Sequence, residues 1–79
     1  MVLESSKIIR KLAGPLATIF NDRLVDGTRS YKVWGWDIPD YNVALQALKS
    51  SGFSAKLVLF EGYSQRGRRQ YIQPRIHVA

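Results

Sequence analysis

Three arginines crowd into four positions near the C-terminus: Arg66, Arg68 and Arg69 around Gly67, with Tyr63 before them and Tyr71 after them. Guanidinium forks pair with phosphate oxygens through two parallel hydrogen bonds. Tyrosine rings offer faces on which unpaired bases stack. The arginines lie between two apolar runs, Ala55–Phe60 and Tyr71–Val78, which predicts a β-hairpin with a cationic loop. Mutual repulsion keeps such a loop in solvent, and a phosphate backbone relieves it while counterions are released. Arg75 is expected on the polar face of the second hairpin strand, beside Tyr71 and His77, where it extends the surface. Arg66, Arg68, Arg69, Arg75, Tyr63 and Tyr71 are therefore the candidate nucleic-acid contacts. Two other readings suit the same residues. One is a solvated hairpin that charge protects from edge-to-edge aggregation. The other is a surface for an acidic protein.

A second cluster is aromatic. Trp34 and Trp36 stand two residues apart near Lys32, so in a strand they share one face. With that face open, they form a stacking platform for single strands or a protein-binding hot spot. With it covered, they are core, where aromatic residues dominate the burial of small domains.

The residues suited to catalysis are sparse. His77 is the only histidine and there is no cysteine, so the usual zinc ligand sets cannot be assembled. Asp37 and Asp40 are explained by helix capping. Glu61 is followed by Gly62-Tyr63 rather than by the lysine of a nuclease pattern. Gly62 to Gly67 contains neither a Walker lysine nor a dinucleotide fingerprint. An acid–base ribonuclease built on His77 and an arginine is the remaining enzymatic option. The expectation is a protein that is not an enzyme and needs no cofactor or metal.

Composition bounds the partners. The chain has 79 residues, twelve basic against six acidic, and a formal net charge of +6. From Lys56 to the end, five basic residues oppose Glu61 alone. This skew favours anionic partners and says nothing about fold. Hydrophobic content of 46% with 23% charged residues is globular rather than disordered. No apolar stretch approaches the roughly 18 residues of a membrane span, and no signal peptide is expected. A small domain without cysteine is the ordinary cytoplasmic solution. Its thin core, burying about two-thirds of the unfolded surface, leaves room for a homodimer.

The elements that must position these residues read as follows. Leu3, Ile8, Leu12, Leu16, Ile19, Phe20 and Leu24 recur at near-helical spacing, which predicts a helix over about 3–24, capped by Ser5 or Ser6 and kinked or split at Gly14-Pro15. Asp26-Gly27 signals a turn. Thr28 to Trp36 reads as a strand, with Tyr31 and Val33 on one face and Gly35 marking a bulge or a close approach. Asp37-Ile38-Pro39-Asp40 opens a helix, with Asp37 as N-cap and Asp40 completing a capping box. Its buried stripe is Ile38, Tyr41, Ala44, Leu45 and Leu48, and Gly52 ends it. The unbroken Leu57-Val58-Leu59-Phe60 run predicts a central strand buried on both faces. Pro74 predicts that the last strand is an edge.

Residues 1–79 are thus expected to form one α+β domain in the order α-β-α-β-β. The strand, helix and next strand over about 28–63 form a βαβ unit, and the C-terminal hairpin completes a three-stranded mixed sheet with helices on one face. The function expected is non-enzymatic nucleic-acid binding through the arginine hairpin, with DNA and RNA undecided. The alternative is a small regulator or inhibitor, of the kind carried by phages and other mobile elements, that sets its basic hairpin or its edge strand against an acidic protein.

Overall fold

A computed structural model describes residues 4–64 and 69–79, with residues 63, 64, 69 and 70 described by their backbone alone. Its elements are α1 (Ser5–Ala13), β1 (Ile19–Arg23), β2 (Arg29–Val33), α2 (Ile38–Ser50), β3 (Ala55–Ser64) and β4 (Arg69–Val78). The strands form a four-stranded antiparallel sheet in the order β1-β2-β4-β3.

The expected long N-terminal helix is half helix and half strand. Gly14 at φ +95° takes the chain out of α1, and Pro15 has no amide to continue it. Ile19 and Phe20, β-branched and aromatic, then open a strand that pairs with β2 from Ile19 opposite Val33 to Arg23 opposite Arg29. Asp26-Gly27 is the turn of that hairpin. Leu24 carbonyl accepts from Gly27 N–H, the Asp26 carboxylate accepts from Thr28 N–H, and Gly27 sits at φ +88°. Neither Ser5 nor Ser6 caps α1; Glu4 holds that position. The Ser5 hydroxyl instead lies 2.6 Å from the Tyr31 hydroxyl. The buried residues of α1 are Ser5 and Ile9, while Leu12 and, beyond the helix, Leu16 are exposed.

α2 begins and ends where its capping residues direct. The Asp40 carboxylate accepts from Asp37 N–H at 2.9 Å. At the other end, Gly52 N–H donates to Lys49 carbonyl and Phe53 N–H to Leu48 carbonyl, with Gly52 at φ +92°. This is a Schellman motif, and Phe53 packs on the core beyond it. Tyr41, Ala44, Leu45 and Leu48 are buried as the stripe predicts, and Ile38 is exposed.

The βαβ unit is split. β2 and β3 run in the same direction, but β4 lies between them and pairs antiparallel with both. The sheet is therefore antiparallel with four strands, not mixed with three. β3 is an edge and β4 is interior, the reverse of the expectation. Pro74 explains how an interior strand tolerates a proline. The β2–β4 ladder covers only Arg29–Tyr31 against Ile76–Val78, so Pro74 lies past its end and faces β3 alone, opposite Leu59. The same register continued would set Lys32 against Arg75, two like charges, and Val33 against Pro74, which has no N–H to give. The Tyr41 hydroxyl takes the proline's place. It accepts from Val33 N–H and donates to Val33 carbonyl, each at 3.1 Å.

Tyr31, Val33, Ile76 and Val78 share one sheet face by register. Ile9 from α1 and Tyr41, Ala44 and Leu48 from α2 complete the core against it. Both helices therefore cover one face. Among the described residues, no helix is long and apolar enough to cross a membrane.

Candidate functional site

The end of the β2–β4 ladder creates an arm. β3 and β4 stay paired from Ala55 opposite Val78 out to Ser64 opposite Arg69. Beyond Ile76, the pairs from Val58 opposite Arg75 outward have no counterpart in the β2 register. At about 3.4 Å per residue, this ribbon reaches roughly 20 Å past the four-stranded sheet. The elongated 47 × 29 × 18 Å outline reflects it.

Strand alternation sorts the arm into two faces. On the helix side, Leu59, Ile72 and Pro74 line an apolar groove with Trp36, Asp37 and Ile38 at the start of α2. On the open side, register places Lys56, Val58, Phe60 and Gly62 of β3 beside Tyr71, Gln73, Arg75 and His77 of β4. Ser30 and Lys32 of β2, then Phe20 and Asp22 of β1, continue this face. The apolar run of β3 is thus not buried on both sides, because Leu59 and Phe60 are both exposed.

Each predicted contact has a definite place, with one group outside the description. Arg66 and Arg68 lie outside the described residues, between β3 and β4 in the sequence. Arg69 is the first residue of β4 and pairs with Ser64, and Tyr63 pairs with Gln70. Tyr71 is on the open face, 50% exposed. Arg75 is on that face too, but its guanidinium is engaged: it donates to the Asp22 carboxylate at 2.9 Å and to the Ser30 hydroxyl at 3.2 Å. It ties β4 across β2 to β1.

The tryptophan platform does not form. β2 ends at Val33, and Gly35 at φ +88° turns the chain out of the sheet, so Trp34 and Trp36 share no strand face. Trp34 is 72% exposed in the turn. Trp36 packs edge-on against Tyr41, with ring centroids 5.3 Å apart, and joins the core. Lys32 remains on the open face and lies over the Phe20 ring, 5.6 Å from its centroid.

Electrostatics make the open face cationic and partly desolvated. His77 stands between Lys56 and Arg75, with its ring 5.9 Å from that of Phe60. Burial, then the Lys56 and Arg75 charges, lower its pKa from the ordinary value of 6.5. Its Nε2 is buried with no hydrogen-bond partner among the described residues. The imidazole is therefore neutral at pH 7. The Tyr41 phenol has its pKa raised by burial, an effect the Val33 hydrogen bond partly offsets. Among the described residues no group of three or more acidic or histidine side chains comes together to hold a metal ion.

Phe20, Phe60, Lys56 and Gly62 belong to this face and were not singled out in the sequence. Period-two alternation over 55–63 would have found the last three had the run not looked like a buried strand. A further cationic surface lies on α1, where Lys7 and Lys11 border a cleft with Ser6, Ile19 and Asn21. Arg10 beside them is used structurally, donating to the Gly14 and Ala17 carbonyls at 3.1 and 2.6 Å. Among the described residues, the fold and site thus define a class: a small α+β domain with one bare sheet face and a projecting two-stranded arm. Comparison with models of known protein families, with curated proteins and with solved structures finds no match for this chain.

Proposed function

We propose that this protein binds nucleic acid along the open sheet face and the β3–β4 arm, without chemistry on it. The observation that carries this reading is the bare face itself. Both helices lie on the other side of the sheet, and Lys32, Lys56, Phe20, Phe60 and Tyr71 occupy the uncovered one. Cationic side chains for the phosphate chain interleaved with aromatic faces for bases are what such an interface requires. The arm would carry Arg66, Arg68 and Arg69 outward to phosphates, while Arg75 holds the face together through Asp22.

The experiment is fluorescence anisotropy of nuclease-treated protein against labelled single- and double-stranded DNA and RNA at two salt concentrations. Replacing Arg66, Arg68 and Arg69 by glutamine should weaken binding and flatten the slope of log affinity against log salt by about 2 to 3, at 0.7 to 0.9 per phosphate contact. Thermal unfolding should not change. Unaltered affinity in this variant rejects the hairpin's role.

A second reading has its own observation. β3 is an edge strand whose Leu59 is exposed, and such an edge accepts an added strand from another protein. A stoichiometric protein partner retained after nuclease treatment, with no oligonucleotide binding, would favour it.

A further inference from the structure

Gly62 lies within β3 and is not one of the glycines at positive φ. Its backbone would accept any residue, and a strand interior is weakened by glycine, so conformational freedom is not its use. Its use is space. The phenol end of Tyr71, directly opposite in register, occupies the position where a Cβ on Gly62 would stand. The ring therefore lies across the bare glycine backbone on the open face of the arm. It is held against the strand on one side and half exposed on the other.

Phe60 is the next residue on that face of β3, diagonal to Tyr71 across the pair Phe60–Gln73. Diagonal neighbours of this kind sit about 7–8 Å apart. Phe60 is 44% exposed and its ring leans on His77. The arm thus presents Tyr71 and Phe60 as neighbouring rings, backed by a neutral imidazole and flanked at its base by Lys56 and Lys32.

We infer that the ligand of this face is single-stranded nucleic acid, with one base stacked on Tyr71 and the next on Phe60. The inference rests on the nucleic-acid reading above and narrows it. Bases in a duplex have both faces occupied by their neighbours, about 3.4 Å away along each strand. Bases lying one on each of two separate rings, Tyr71 on β4 and Phe60 on β3, are splayed from one another, a state open only to an unpaired strand. Of the long side chains able to reach base edges in a groove, Gln73 alone stands on this stretch of the open face among the described residues, and Arg75 beyond it is engaged by Asp22 and Ser30. Gly62 is a positioning residue, since it lets the Tyr71 ring lie flat enough to be stacked upon.

The test measures binding of dU and U oligonucleotides of about 12 residues, a site length typical of such surfaces, together with a duplex of equal length, inorganic polyphosphate and polyglutamate. The proteins are wild type, Tyr71→Leu, Phe60→Leu, Tyr71→Phe and Gly62→Ala. The expected result is single-strand affinity lowered about tenfold in each leucine variant with the salt slope unchanged. Tyr71→Phe should bind as wild type, Gly62→Ala as Tyr71→Leu, and polyphosphate binding should be equal in all. A preference for either single strand supports the inference and names the sugar. Wild-type single-strand affinity in both leucine variants, or preference for the duplex, overturns the inference and leaves the nucleic-acid reading standing. Binding of polyglutamate but of no oligonucleotide overturns both, in favour of an acidic protein. All three altered residues lie outside the buried core, and the thermal midpoint of each variant reports that it is folded.

Discussion

Replacing Tyr41 by phenylalanine removes one oxygen and keeps the ring, which makes it a sharp test of why the arm leaves the sheet. Tyr41 and Val33 are each 2% exposed, so water cannot take over the hydroxyl's two bonds to Val33 N–H and carbonyl. A buried backbone group deprived of its partner costs about 1–3 kcal/mol. With two groups affected and some relaxation, the expected loss is about 2–4 kcal/mol. At about 0.05–0.15 kcal/mol per residue, a chain of this length is stable by only about 4–12 kcal/mol. A domain of this size loses about 4–8 °C per kcal/mol, so the midpoint should fall by at least ~8 °C. Urea unfolding followed by circular dichroism measures the loss, and Val33 amide exchange should quicken. Tyr31→Phe is the control. It removes a single bond to the Ser5 hydroxyl and should cost about 1 kcal/mol. The pH dependence gives a second readout. The Tyr41 pKa is raised in the folded state, so its contribution is complete below the unfolded value of 10.0 and is lost as pH rises through the folded one. Tyr41→Phe should therefore lose this part of the alkaline destabilisation. A loss under about 0.5 kcal/mol, no larger than a neutral surface change, would refute the substitution of the phenol for Pro74's missing donor.

Two further predictions concern stability. His77 has its pKa lowered in the folded state, so its contribution is present above 6.5 and is lost as pH falls through the folded value; His77→Phe should narrow the difference between midpoints measured at about pH 7.5 and pH 5. Gly52→Ala places a side chain at φ +92° in the Schellman turn and should cost about 1 kcal/mol, read as a lower midpoint by thermal melting.

What could be read in advance was local chemistry. Asp37, Pro39, Asp40 and Gly52 carry their instructions within a few residues, and α2 begins and ends accordingly. The C-terminal hairpin was equally legible from its paired apolar runs and polar loop. The misreadings arose where a local pattern has two solutions. Leu16, Ile19, Phe20 and Leu24 fit a helical period, yet Gly14-Pro15 ends α1, and Asp26-Gly27 then closes a hairpin instead of following a helix. Leu57–Phe60 looks like a buried central strand because composition does not distinguish burial on two faces from exposure on an arm. Pro74 does forbid pairing on one side, but only locally, because β4 is interior at Ile76 and unsupported by β2 at Pro74. No pattern in the sequence states that Tyr41 will reach Val33 across eight positions, and that contact is what allows the arm to separate. The open face was half legible. Tyr71, Arg75 and Lys32 were identified by residue type, whereas Phe60 and Gly62 needed the β3–β4 register. The Trp34–Trp36 pair failed because β2 ends at Val33 and Gly35 turns the chain between them.

The most direct test of nucleic-acid binding by the open face is a nitrogen-15 chemical-shift titration of the protein with a single-stranded oligonucleotide at low and at high salt. Salt-sensitive shifts at Lys32, over 56–63 and over 69–77, with the 38–50 helix silent, are the predicted result. Shifts confined to the two helices, or none at low salt, would contradict it.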